Sequence, residues 1–96
     1  MIEDISYFYA EDNLVFVKCT KDERYILDHT LEELEKEVDP KEFFRLNRTY
    51  LARINAISKV SKYFNSRLLI TLDPPAEEKV LVSRVRVPDF MEWMGN

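Results

Sequence analysis

Glycine, cysteine and histidine each occur only once in this chain of 96 residues, as Gly95, Cys19 and His29. A glycine-rich phosphate loop needs several glycines close together, and a zinc site needs three or four ligands at set spacing. Neither can be built from this sequence. A lone cysteine cannot form an internal disulfide, which fits a reducing compartment and predicts a cytoplasmic protein.

Groups suited to catalysis are equally scarce. His29 comes directly before a predicted helix cap and has no partner motif, so ordering of the turn is a better role for it than general-base chemistry. Cys19 lies among apolar residues of a predicted strand, where a thiol behaves as a small inert hydrophobe. The adjacent pairs Glu32-Glu33 and Glu77-Glu78 point apart and are interpreted as solvated charge. We therefore predict that the chain is not an enzyme and uses no cofactor or metal.

Long hydrophobic runs are also missing. No apolar stretch approaches the roughly 20 residues that a membrane-spanning helix needs, and the N-terminus lacks the basic-then-apolar pattern of a signal peptide. The chain length suits one domain with a modest core. No repeat, linker or low-complexity tract suggests a boundary within residues 1–96. The sequence predicts a single domain with no membrane partner.

The net charge of −4 is distributed unevenly along the chain. Residues 1–44 hold five Lys/Arg against thirteen Asp/Glu, a balance of −8, whereas residues 45–86 hold nine against three, a balance of +6. Affinity for phosphate groups follows the local basic surface rather than the total charge. The two halves could instead pair with each other, so the asymmetry is compatible with an anionic partner but does not require one.

Turn residues and hydrophobic alternation predict a mostly β, antiparallel domain with one or two short helices. Thr30 and Glu33 form a capping box that should start a helix reaching about Val38. A second helical turn is expected at residues 39–42, because Asp39 can cap it and Pro40 suits its first position. The predicted strands cover residues 5–10, 14–20, 24–27, 58–64, 67–72 and 80–82, and a C-terminal helix covers residues 88–94. Polar turns are predicted at residues 11–13, 21–23 and 65–66, and an acidic loop at 73–78.

Residues 43–57 carry the most informative pattern, which we interpret as one extended strand. Alternation would turn one set of side chains inward (Phe44, Leu46, Tyr50, Ala52, Ile54) and another outward (Asn47, Thr49, Arg53). Arg48 breaks this alternation, because parity places it on the apolar face. A guanidinium is costly to bury without a partner, so Arg48 should lie where the strand begins or bends, near an anion. That anion could be a carboxylate of this chain or a phosphate of another molecule.

Further arginines accompany predicted turns and strand ends. Arg48 lies beside Asn47 and Thr49, Arg67 follows the turn at 65–66, and residues 83–86 read Ser-Arg-Val-Arg. Arginine remains charged and can bind guanine edges or phosphate oxygens through two parallel hydrogen bonds. A single surface arginine more often pairs with a carboxylate at little energetic value. Several such clusters in one basic half favour binding of an anionic partner.

Five segments, in chain order, resemble the LytTR DNA-binding domain, the output module of many bacterial response regulators. The series consists of Ile5-Ser6-Tyr7-Phe8, Asp12-Asn13-Leu14-Val15, Thr30-Leu31-Glu32-Glu33-Leu34-Glu35, the Phe-Phe-Arg-Leu-Asn-Arg-Thr-Tyr start of residues 43–57, and Val82-Ser83-Arg84. The resemblance implies an elongated antiparallel β-sheet domain whose loops enter successive major grooves of double-stranded DNA. It also implies dimers on direct-repeat sites.

The same resemblance implies which residues contact DNA. By position, these are Asn13, Arg48, Thr49, Arg67, Ser83, Arg84 and Arg86. Asn13, Arg48 and either Arg84 or Arg86 are the candidates for base edges, while other arginines and backbone amides would hold phosphates. Arg53 occupies a position where many family members carry Asn.

Residues 1–96 also depart from the family pattern at the N-terminus. Members usually have a further strand segment before the equivalent of Ile5, and a receiver domain precedes the DNA-binding domain in response regulators. We therefore expect the chain to be one LytTR-like domain cut from a longer two-component regulator. The alternative is a β-sheet protein-interaction module without nucleic-acid binding, which would dock a partner through Tyr7-Phe8-Tyr9 and through Phe90 and Trp93. A contiguous basic face favours DNA, whereas an exposed apolar patch favours a protein partner.

Overall fold

The computed structural model describes residues 4–95 and contains two antiparallel sheets and two helices. The five-stranded sheet has the order β3-β2-β1-β5-β4, and the three-stranded sheet has the order β6-β7-β8. The elements are β1 Ile5–Glu11, β2 Leu14–Cys19, β3 Arg24–Leu27, α1 Leu31–Glu37, β4 Phe43–Arg45, β5 Tyr50–Arg53, β6 Ile57–Tyr63, β7 Arg67–Leu72, β8 Val80–Val82 and α2 Val87–Gly95. Short 3-10 turns cover Ile54–Ala56, Phe64–Ser66 and Arg84–Arg86. The mostly β class predicted from the sequence is confirmed.

Tight turns are made without glycine. Asp12 and Asn13, with φ angles of 54° and 65°, connect β1 to β2. Asn65 and Ser66, with φ angles of 60° and 62°, connect β6 to β7. Asp and Asn tolerate this left-handed backbone better than most other residues, because their short polar side chains bond locally. Both hairpins therefore form at the positions that the turn residues predict.

The capping box at the start of α1 is formed as predicted. The Thr30 hydroxyl accepts a hydrogen bond from the Glu33 amide at 3.1 Å, and the Glu33 carboxylate accepts one from the Thr30 amide at 2.8 Å. Helix α1 packs on the five-stranded sheet through its buried residues Leu31 and Leu34. Residues 39–42 form the single turn that was expected. The Asp39 carbonyl accepts hydrogen bonds from the amides of Glu42 and Phe43, and the Asp39 carboxylate accepts one from the amide of Lys41.

The prediction of one strand over residues 43–57 is wrong. The segment folds back on itself, so that β4 and β5 form an antiparallel pair with Phe44 opposite Ala52. The bend at residues 46–49 contains neither glycine nor proline. It is closed by the Asn47 side chain, whose carbonyl oxygen accepts hydrogen bonds from the amides of Thr49 (2.7 Å) and Tyr50 (2.9 Å).

The predicted inward and outward faces are nevertheless largely correct. Four residues, an even number, separate β4 from β5, so residues of the same parity still face the same side of the sheet. Leu46, Tyr50 and Ala52 are buried in one cluster as predicted, while Ile54 belongs to a 3-10 turn and is only partly buried. Arg48 lies on the bend and is exposed, so it avoids the apolar face on which a straight strand would have placed it.

The two faces of the five-stranded sheet are covered by different elements. Phe8 and Leu51 face the cluster beneath α1, whereas their chain neighbours Tyr7 and Ala52 face the larger core shared with β7, β8 and α2. Two side-chain hydrogen bonds connect the sheets across this core. The Tyr7 hydroxyl donates to the Pro74 carbonyl at 3.0 Å, and the Asn47 amide nitrogen donates to the Leu81 carbonyl of β8 at 2.8 Å.

Replacement of Asn47 by Ala should destabilise the domain, because it removes two acceptor bonds from the bend and one donor bond to β8. Each buried backbone group left without a partner costs about 1–3 kcal/mol, so we expect a loss of at least about 2 kcal/mol in the free energy of unfolding. Asn47→Asp keeps an acceptor for both amides but loses the donor to Leu81, and should be intermediate between the wild type and Asn47→Ala. Urea unfolding followed by circular dichroism measures all three. Equal midpoints for wild type and Asn47→Ala would show that this side chain does not hold the bend.

Alkaline pH should also destabilise the fold. Burial, followed by the nearby Glu78 carboxylate, raises the pKa of Tyr50 from its ordinary value of 10.0 to about 12. Between these two pKa values the unfolded chain loses the phenol proton while the folded chain keeps it. The contribution of Tyr50 to the free energy of unfolding is therefore intact below pH 10 and declines towards pH 12. The free energy of unfolding, measured at pH 8, 10 and 11, should fall with pH. For Tyr50→Phe, the free energy of unfolding should fall less steeply with pH. Parallel curves for wild type and variant would show that Tyr50 does not cause the pH dependence.

Candidate nucleic-acid interface

Within residues 4–95, three of the seven arginines form ion pairs with carboxylates. Arg24 contacts Glu11 at 3.0 Å, Arg45 contacts Glu35 at 3.1 Å and Glu32 at 3.4 Å, and Arg53 contacts Glu42 at 2.8 Å. Arg45 and Arg53 connect segments that are separate in sequence, and both side chains are largely buried. These three arginines therefore serve the fold.

The other four arginines are Arg48, Arg67, Arg84 and Arg86. Within residues 4–95, no carboxylate lies within salt-bridge distance of any of them. They are the same four arginines that the sequence analysis placed at the DNA. Their charge is not neutralised by a neighbouring carboxylate in the described part of the chain, so it remains available to an external anion.

Arg45 fixes the bend that carries Arg48. Its Nε atom donates to the Asn47 carbonyl at 2.7 Å and its Nη2 atom donates to the Arg48 carbonyl at 2.8 Å. The Arg45 side chain is only 10% exposed, so these bonds are shielded from water. A hydrogen bond from its own backbone amide and then the Arg45 charge lower the pKa of Glu32, which keeps this partner ionised. The backbone of Arg48 is therefore held in place while its side chain extends into solvent.

The β4–β5 bend of the first sheet and the 3-10 turn after β8 of the second sheet meet at a recess. Four of the predicted contact residues line it, namely Arg48, Thr49, Ser83 and Arg86. The Arg86 guanidinium lies over the Phe44 ring, with its central carbon 5.4 Å from the ring centroid. Its Nε atom is buried and has no hydrogen-bond partner among residues 4–95. Buried donors are nearly always bonded, so this N–H is a donor that the described fold itself does not satisfy.

Asn13 borders a second recess, on the other side of Arg48. Arg48 lines both recesses, and Asn13 lines only the second. A backbone hydrogen bond from the Ala10 amide to the Thr49 carbonyl, 3.0 Å long, connects the strand before the Asp12-Asn13 turn to the β4–β5 bend. Asn13, Arg48, Thr49, Ser83 and Arg86 thus border two recesses that meet at Arg48.

Arg67 and Arg84 line neither recess. Arg67 follows the β6–β7 turn, where its Nε atom donates to the Phe64 carbonyl at 3.0 Å and its guanidinium lies over the Tyr63 ring. Arg84 is exposed on the 3-10 turn immediately after Ser83. The structure therefore brings five of the seven predicted residues together, with Arg84 adjacent in sequence and Arg67 at a separate turn.

Asn47 has a structural role that the sequence analysis missed. Asn47 was expected to face outward as a donor beside Arg48, but its side chain turns inward and is fully used by the bend and by Leu81. Two further polar residues follow Asn47, and this spacing is compatible with an Asx turn, which is the one local signal that could have revealed the bend.

The aromatic residues considered for docking of a protein partner are mostly core residues. Tyr7, Phe8 and Phe90 are buried, and the Trp93 indole donates a hydrogen bond to the Pro40 carbonyl at 3.0 Å. Tyr9 and Trp93 are half-buried, so this set of residues does not form one exposed apolar patch. Among the described helices, none has the length and apolar character required to span a membrane.

Comparison with known proteins agrees with this architecture. The family model of the LytTr DNA-binding domain matches residues 1–95. The sensory transduction protein LytT of Bacillus cereus is 39% identical over 93 residues, and that of Bacillus anthracis is 37% identical over 93 residues. Each match covers 97% of this chain but only 37% of the relative, so the chain spans little more than a third of those proteins. The CO-sensing transcriptional regulator RcoM 2 of Paraburkholderia xenovorans is 28% identical over 94 residues, which are 98% of this chain and 34% of RcoM 2.

A solved structure shares the fold. A LytTr DNA-binding domain from Bacillus cereus superposes with a TM-score of 0.83 at 22% sequence identity, covering 98% of this chain and 84% of that one. The match of the family model over residues 1–95 includes every element from β1 to α2. This chain belongs to the LytTR family of DNA-binding domains.

Proposed function

We propose that this domain binds specific sequences in double-stranded DNA and regulates transcription as the output module of a cytoplasmic bacterial two-component response regulator. One observation carries the proposal beyond family membership. Every arginine without a carboxylate partner in the described chain lies on or beside a turn that the family resemblance assigns to DNA, whereas the charges of the other three arginines are neutralised by carboxylates within the fold.

The recess between the two sheets has the chemistry of a phosphate site. Arg48 and Arg86 supply positive charge, and the Thr49 and Ser83 hydroxyls supply short donors. The buried Nε atom of Arg86 lacks an acceptor in the described chain, and a phosphate oxygen would supply one once the guanidinium turns towards the recess. Contacts of this kind fix the orientation of the protein on the duplex without selecting its sequence.

Sequence selection then falls on the exposed side chains around this anchor. Asn13 can form two hydrogen bonds with an adenine edge, and Arg84 can do so with a guanine edge, while Arg48 borders both recesses and can reach either a base or a phosphate. The longest dimension of the domain is 34 Å, close to one turn of B-form DNA at about 34 Å. Loops near its two ends could therefore enter successive major grooves, with Arg67 as a further backbone contact.

The proposal extends to a receiver domain and to a dimer, and the greater length of the relatives supports the additional domain. The LytT proteins contain a large additional region, which in this protein would hold the receiver domain that transmits the signal. Two copies on direct-repeat half-sites would double the number of phosphate contacts, and the full-length protein would bind as a homodimer.

Arg48→Gln should weaken DNA binding about tenfold and reduce the slope of log affinity against log salt by about one, because one phosphate neutralisation is lost. Arg24→Gln is the matched control, since it removes the same charge from an exposed arginine that pairs with Glu11. Fluorescence anisotropy, with a duplex selected from a random pool, measures both variants at several salt concentrations.

Equal losses for Arg48→Gln and Arg24→Gln would show that only net charge matters and would reject the proposed interface. If no duplex is recovered from the pool at low salt, the DNA-binding proposal itself fails. Unfolding of Arg48→Gln, checked by circular dichroism, would instead make Arg48 a structural residue.

Arg86→Gln and Arg84→Gln should have different effects on DNA binding, the first on affinity alone and the second on base preference. Loss of a phosphate contact weakens all duplexes about equally, so Arg86→Gln should reduce affinity without changing the sequences recovered from a random pool. Loss of a base contact relaxes selection at one position, so Arg84→Gln should broaden the base preference there at a cost of about 1–3 kcal/mol. Identical pools from wild type and Arg84→Gln would remove Arg84 from the base contacts.

A further inference from the structure

Val85 is the most exposed large hydrophobic residue in the described part of the chain, with 83% of its surface in contact with solvent. It lies between Arg84 and Arg86, the two arginines of the 3-10 turn after β8. Single exposed apolar residues are common and usually need no explanation. This one is unusual because its two neighbours in the chain are arginines that have no carboxylate partner among residues 4–95.

The backbone around Val85 is held rigidly. The Ser83 carbonyl accepts hydrogen bonds from the amides of Arg86 at 3.0 Å and Val87 at 3.1 Å, so Val85 lies at the apex of a closed turn. The Arg86 side chain folds back over Phe44, away from the apex. Valine is branched at Cβ and has few rotamers to lose on binding. The turn therefore presents a small, stiff apolar surface at its apex, between two arginines in the chain.

We propose that Val85 packs against the 5-methyl group of a thymine in the major groove and thereby selects a T·A pair at one position. The inference rests on the proposed function. If Arg86 holds a phosphate and Arg84 reaches a base edge, then the residue between them is directed at the groove. The thymine methyl group is the only apolar group that the four bases present there.

The chemistry predicts a modest, methyl-dependent preference. Burying one methyl group stabilises a complex by about 0.8 kcal/mol, which corresponds to about fourfold in affinity. Polar contacts by Arg84 would not depend on this methyl group, because arginine binds the guanine O6 and N7 atoms. The effect of the methyl group can therefore be separated from the effects of the neighbouring arginines.

The test replaces thymine by uracil, one position at a time, in the duplex recovered by wild-type selection. Uracil has the same hydrogen-bonding edge but lacks the methyl group. For the wild-type domain, one replacement should weaken binding about fourfold. For Val85→Ala, the same replacement should have little effect, because the side chain no longer reaches the methyl group. Met91→Ala is the matched control, since Met91 is an exposed apolar residue of α2 outside the proposed interface, and it should retain the full penalty.

Two results would overturn the inference while leaving the proposed function intact. One is a selected duplex in which no thymine-to-uracil replacement weakens wild-type binding. The other is a penalty that is equally large in Val85→Ala. Recovery of no duplex at all would instead reject the proposed function, and this inference with it.

Discussion

The Asn47 side chain makes the contacts on which the proposed DNA-binding face of this domain depends. Its carbonyl oxygen closes the β4–β5 bend and its amide nitrogen binds Leu81 of β8, so one residue determines a local turn and joins it to the other sheet. Arg45 secures the same bend from the other side through the carbonyls of Asn47 and Arg48. These bonds, together with the core shared by both sheets, hold the bend that carries Arg48 close to β8 and the turn after it. The proposed phosphate site, which both turns would form, requires that arrangement.

The arginines divide into two groups by what surrounds them. Exposed ion pairs contribute little to stability, but Arg45 and Arg53 are shielded and connect distant segments, so their pairs are costly to break. Their carboxylate partners come from the acidic N-terminal half, which explains part of the charge asymmetry by contacts within the domain. The asymmetry nevertheless does not cancel, because four arginines of the basic half have no carboxylate partner within residues 4–95. An overall acidic protein can thus present a local cationic surface.

The hydrophobic core and the interface are built from the same strands. Alternation along β1 and β5 directs Tyr7 and Ala52 to one core and Phe8 and Leu51 to the other, so the five-stranded sheet is covered on both faces. The faces of the sheet are then occupied by α1 and by the second sheet, and the turns at the strand ends become the accessible elements. A protein that recognises DNA through loops needs a scaffold of this kind, in which a rigid framework of strands holds short turns in position.

The sequence alone determined the elements whose causes are local. The glycine-free hairpins at Asp12-Asn13 and Asn65-Ser66, the capping box of α1 and the mostly β class all follow from residues close together in the chain. The family resemblance also came from the sequence, as an ordered series of short motifs. Only the tertiary structure decided that residues 43–57 form two strands, because the bend is held by Asn47 and Arg45 and by a carbonyl 34 residues away. It likewise decided which arginines are neutralised, since the partners of Arg45 and Arg53 lie at least ten residues distant. Charge pairing depends on distances in space, and those are set by sheet order and packing rather than by the spacing of residues along the chain.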